Sequence, residues 1–180
     1  MRKVKSELNK EIIVVCIGTD RSTGDSLAPL VGTYLTEGKL KQLKVYGTVD
    51  EPIHGLNLEE QISSIKKKHP GAYIIAIDAS LGESKSIGKI IVKDTPILPG
   101  RAFNRDFMPV GNCSVHGIVN VNYVINSHDV LNSTRLSMVM KLARECTEVI
   151  QLLDKYVHRK HMISIKKVET LGAESFAKAI

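Results

Sequence analysis

Three aspartates, Asp20, Asp25 and Asp78, stand where this sequence is best placed to do chemistry. Each follows a β-branched apolar run. Ile12–Ile17 leads into a loop holding Asp20 and Asp25, and residues 74–77 lead into Asp78. Carboxylates held close together resist simultaneous ionisation, so one keeps a proton while its neighbour is charged. Such a pair can activate water and protonate a leaving amine. The same acids can instead hold a metal ion that lowers the pKa of bound water. Both routes are hydrolytic. Ordinary roles also exist, since Asp25 suits a helix cap and Asp20 a turn. Asp78 suits one less well, because a strand disfavours aspartate.

Other chemistries fit the residues less closely. Gly18 and Gly24 enclose five residues, whereas a phosphate loop has four and then a lysine. Asp25 stands where that lysine is needed and repels phosphate. A receiver-like phospho-acceptor domain also gathers acids after its first and third strands, with magnesium and a late lysine. Lys93 follows an apolar run here, but one strand early. His116 is able to complete a metal site with two carboxylates, yet it reads first as an ordinary loop histidine. His158 and His161, on a basic segment, read as solvated. Cys113 has no activating base at a telling spacing and is a weak nucleophile candidate.

The acids need a scaffold, and the chain alternates apolar runs with helical patterns. Ile12–Ile17 reads as a strand buried on both faces. Asp25 is in position to cap a helix through Leu27, Leu30, Val31 and Leu35, with Pro29 in its first turn and Gly38 at its end. Residues 43–49 read as a second strand. Asn57 can cap a helix through Leu58, Ile62 and Ile65, which stops before Pro70. Residues 72–77 form a third strand and 88–92 another. Residues 94–111 read as loop, and 115–124 are ambiguous between strand and helix. Asn132 or Ser133 opens a long helix to about Val157, and residues 163–180 add a short strand and a helix. This order predicts one α/β domain over residues 1–180, three-layered, with a mostly parallel sheet; segments 1–10 and 163–180 are peripheral. In such sheets ligands bind beyond the carboxyl ends of the strands, where the strand order reverses. If the first and third strands meet there, their acids share one crevice.

Composition bounds the partners. Aromatic residues are only 4% and tryptophan is absent, so a stacking platform for single-stranded nucleic acid is not expected. The net charge of +6 draws on basic residues near both ends, which read as solvated faces. Three cysteines without a CxxC spacing suit a reducing cytoplasm rather than a disulfide framework. No apolar stretch is long enough to span a bilayer, and the polar start lacks the core of a signal peptide.

The segment Gly18-Thr19-Asp20-Arg21-Ser22-Thr23-Gly24-Asp25-Ser26-Leu27-Ala28-Pro29-Leu30-Val31-Gly32, followed downstream by Ile77-Asp78-Ala79, resembles the sporulation protein family of the YyaC type (DUF1256-like). Pro99-Gly100-Arg101, Gly117-Ile118-Val119-Asn120-Val121 and Asn132-Ser133-Thr134-Arg135-Leu136 are family-like too, and the resemblance spans about residues 12–153. That family is similar to the spore germination protease and, more distantly, to the hydrogenase maturation endopeptidases. The resemblance implies a phosphorylase/hydrolase-like fold of the hydrogenase-maturation-protease type. It implies a sporulation-associated peptidase with Asp25 and Asp78 as catalytic pair and Asp20 and Arg21 in support. From the hydrogenase endopeptidases it implies a divalent metal on Asp25, Asp78 and His116, the last matched through a Ser-x-His fragment. Ala28 replaces the usual glycine, and Asp25 is shorter than the glutamate of the hydrogenase enzymes. The substrate would be a protein or peptide, such as a spore protein, and the location the forespore or spore interior. A homo-oligomer stays open. The alternative is a scaffold of the same fold that holds a peptide or metal without cutting.

Overall fold

The computed structural model describes residues 9–99, 108–122 and 127–177, with side chains described as far as residue 163. The apolar run of β1 (Ile12–Ile17) is buried at every position. It is covered on both faces and paired on both edges. β2 (Lys44–Tyr46) runs parallel along one edge and β3 (Tyr73–Gly82) along the other. β5 (Cys113–Val121) runs parallel beside β3, and β4 (Ile90–Lys93) closes the sheet antiparallel to β5. The order is β2-β1-β3-β5-β4.

The two-residue period of the strands sorts the core into two layers. Ile12, Val14 and Cys16 face α1 (Leu27–Glu37) and α4 (Leu136–Ala177), meeting Leu27, Val31 and Leu35 of the first and Val139, Leu142 and Cys146 of the second. Ile13 and Val15 face the other way, onto Leu58, Ile62 and Ile65 of α2 (Leu58–Lys68). Each such fully buried Ile or Leu contributes about 1.5–3 kcal/mol. A short helix, α3 (Ser127–Asn132), precedes α4. The three layers and the mostly parallel sheet are those the sequence predicts.

Several boundaries differ from expectation. Asp25 does not cap α1. Ser26 holds the cap position in helical conformation, and its hydroxyl donates to the Thr23 carbonyl at 2.7 Å. Turn bonds such as Ser26 N–H to the Ser22 carbonyl satisfy the start of the helix, which leaves the Asp25 carboxyl for other work. Asn57 does precede α2, but its side chain points back into its loop, accepting from His54 N–H and donating to the Pro52 carbonyl. β2 has three residues rather than seven because Gly47 turns the chain at φ +87°, tight against the Cys16 carbonyl. The ambiguous stretch after residue 112 is strand, and Cys113 is its first, buried residue rather than a loop position. Residues 163–177 continue α4 as helix and add no strand. Asn132 ends α3 instead of opening α4. The antiparallel edge strand carrying Lys93 departs from the all-parallel 2-1-3-4-5 order of flavodoxin-like and receiver folds. Gly100 and Arg101 lie outside the described residues.

Candidate active site

The strand order reverses between β1 and β3. From β1 the chain crosses through α1 to β2 on one side, and from β2 through α2 to β3 on the other. The two crossovers lie on opposite faces, so a crevice opens at the carboxyl ends of β1 and β3. Ile17, the last residue of β1, is aligned with Asp78, while β3 continues to Gly82. Asp78 therefore sits where its neighbour strand stops covering it. It keeps partial access to solvent through the crevice although protein atoms surround it closely.

Asp25 reaches the same place because of Gly18. A Cβ on Gly18 would lie 2.1 Å from the Asp25 carbonyl oxygen and 2.9 Å from Pro29 Cδ. Only glycine lets the loop fold back this tightly over the strand end. Thr19 N–H donates to the Asp25 carbonyl at 3.2 Å, and Gly24 N–H donates to the Leu131 carbonyl of α3 at 2.9 Å. The crevice has a volume of about 1330 Å³, and Arg21, Asp25, Asp78, Ser80, Lys93 and His116 are among the residues lining it. Asp20 is exposed and does not line it.

Burial and the charge of Asp25 push the Asp78 carboxyl up to about 8, against the pull of a hydrogen bond from Ala79 N–H. Burial also raises Asp25, opposed by the Ser22 hydroxyl and the nearby His128. Asp25 ionises first, while Asp78 is still neutral, so their repulsion falls on Asp78. Burial and the charge of Asp25 together favour the proton on Asp78.

His116 is paired with Asp78 across β3 and β5. Its Nδ1 lies 3.0 Å from Ser80 Oγ and its Nε2 3.0 Å from Ser114 Oγ. Burial and the nearby Lys93 lower its pKa, so the ring is neutral. With both nitrogens bonded to hydroxyls, His116 offers no free lone pair to a metal. Among the described residues no three His, Cys, Asp or Glu side chains gather into a metal-holding group. The residues thus do not fit the expected set of Asp25, Asp78 and His116. Cys113, buried at the start of β5, has its thiol pushed up by burial, unlike a nucleophile. His158 and His161 are not simply solvated, for both bond Gln42 in the segment ahead of β2.

Residues 1–149 match the family described as "Protein of unknown function (DUF1256)". The chain belongs to this family. It is 41% identical over 161 residues to the uncharacterized protein YyaC of Bacillus subtilis (strain 168), an overlap of 89% of this chain and 78% of that protein. Its fold is similar to the crystal structure of the NiFe hydrogenase maturation protease HycI from Thermococcus kodakarensis KOD1, with a TM-score of 0.58 and 16% identity over 85% of this chain and 99% of that one. The family expected from the loop motif is the family found, and the expected fold class is the fold observed. Among the described residues of this DUF1256 chain, no helix is long and apolar enough to cross a membrane.

Two site residues escaped the sequence reading. Ser80 and Ser114 bracket the His116 ring, yet nothing in a single serine's surroundings marks it. Their signal is positional: Ser80 is two residues from Asp78 and Ser114 two from His116, so each shares a strand face with its neighbour.

Proposed function

We propose that this chain is a sporulation-associated peptidase, hydrolysing a bond in a protein or peptide substrate with Asp25 and Asp78. The observation that carries this reading is the meeting of two carboxyls at one strand-end crevice, with Asp78 raised to about 8 by burial and by its partner's charge. The aspartate matches to the spore germination protease and the likeness in fold to a maturation protease support it. The sporulation role and the spore-interior location rest on the family resemblance.

Asp25, ionised, takes a proton from a water molecule as the water oxygen attacks the substrate carbonyl carbon. Asp78 donates its proton to the carbonyl oxygen. The tetrahedral intermediate collapses when Asp25 passes its proton to the leaving nitrogen and Asp78 recovers the one it gave. Arg21 on the crevice wall orients a substrate carbonyl or carboxylate, and Asp20 is a supporting acid on the outer turn of the loop.

The test incubates the protein and its Asp25→Asn and Asp78→Asn variants with candidate spore proteins and reads products by mass spectrometry. The wild type should yield a defined cleavage that persists in chelator. Each variant should lose at least about 10²-fold in rate while keeping its circular dichroism spectrum. Cleavage by the Asp78→Asn variant at the wild-type rate overturns the mechanism. Tight, uncleaved binding of a spore protein favours the scaffold reading.

A further inference from the structure

We propose that Ser80 is a second nucleophile in this crevice, activated by His116 and directed at small carboxylic esters, in an acyl-transfer chemistry separate from the aspartate pair. Three groups stand in line. Ser80 Oγ is 3.0 Å from His116 Nδ1, and His116 Nε2 is 3.0 Å from Ser114 Oγ. This is the arrangement a base-activated nucleophile needs: a hydroxyl within reach of a base whose far side is oriented by a third group. With the ring proton on Nε2, His116 donates to Ser114 and leaves Nδ1 to accept from the Ser80 hydroxyl.

The sheet explains the alignment. Asp78 and Ser80 alternate along β3, Ser114 and His116 alternate along β5, and Asp78 pairs with His116, so all four share one face. The ladder register shifts between Ser80 and Leu81, an irregularity of the kind that re-aims a side chain beside a site. Ser114 is 0% exposed, which holds the ring from behind. Ser80 and His116 line the open crevice, and Lys93 lines it too.

In the reaction, Ser80 Oγ bonds to the ester carbonyl carbon and its proton moves to His116 Nδ1. Lys93 adds positive charge for the oxyanion. The carbon–oxygen bond to the alcohol then breaks, and the imidazolium returns its proton to the departing oxygen. Water hydrolyses the acyl-serine with His116 again as base.

A fluorophosphonate probe tests this directly, because Ser80 Oγ would displace fluoride from phosphorus. Intact-mass and peptide mapping should find one adduct, on Ser80. Ser80→Ala should abolish it. His116→Gln should slow it at least about 10²-fold, and Ser114→Ala should slow it by a smaller factor. A p-nitrophenyl ester should show a burst that depends on Ser80. Circular dichroism of each variant confirms its fold, and Ser114→Ala gives a second reading should His116→Gln fold poorly. No adduct after prolonged exposure, an adduct elsewhere, or equal labelling of both the His116→Gln and Ser114→Ala variants overturns the proposal. None of these results bears on cleavage by the aspartates, so the two readings fail separately.

Discussion

Asp78 sets the pH behaviour of the site. Its carboxyl, raised to about 8, must be protonated for the proposed reaction while Asp25 is ionised. Cleavage should follow a bell-shaped profile, falling as pH rises past about 8 and again as it drops through the raised value of Asp25, measured as kcat against pH. The same shift has a stability consequence. The folded chain holds the Asp78 proton more tightly than the unfolded chain, so stability declines as pH climbs from the ordinary carboxylate range to about 8, and the loss is complete above it. Asp78→Asn removes that loss. Urea denaturation should find the variant more stable than wild type by on the order of 1–3 kcal/mol at pH 8, once partial solvent access is allowed for, and the gap should close in acid. A wild-type chain equally stable across that window would contradict the shift.

At the scale of elements, the loop after β1 works because glycine occupies its crossing point. Gly18→Ala drives a Cβ into the Asp25 carbonyl and Pro29, both held by the start of α1. It should cost about 2–4 kcal/mol and displace Asp25, so that activity falls even in the folded fraction. Gly71→Ala is the control. Gly71 has φ +75° but nothing within 4 Å of its missing Cβ. The change should cost about 1 kcal/mol and leave cleavage intact. Chemical denaturation and specific activity of the two variants separate backbone strain from collision at the site. Element identities were legible where hydrophobic period was strong, as in β1, β3, α2 and the first half of α4. The length of β2 and the identity of the strand after residue 112 were not, because a close approach to Cys16 shortens one and pairing with both β3 and β4 decides the other.

Over the whole molecule, α4 is fastened to the segment ahead of β2 by a buried carboxylate, beside the bonds of His158 and His161 to Gln42. Asp154, 4% exposed, accepts backbone N–H bonds from Lys41 at 2.9 Å, Gln42 at 2.8 Å and Leu43 at 3.0 Å. Asp154→Ala should lower stability by about 2–4 kcal/mol, since three backbone donors, that of Leu43 buried, lose their acceptor. Asp154→Asn should lose less. Asp154 does not line the crevice, so cleavage per folded molecule should be unchanged; a drop in that rate would mean that α4 reports to the site. The amino-acid sequence alone determined the layers, the family and the candidacy of Asp25 and Asp78, because periodicity and loop motif are local properties of the chain. It left Asp25 as a cap or a catalyst, His116 as a ligand or a loop residue, and Ser80 unnoticed. Those questions depend on what stands across the strands. Only folding brings Asp78 beside His116, puts hydroxyls on both imidazole nitrogens, and sets Asp25 and Asp78 in one crevice where burial and the charge of Asp25 raise Asp78.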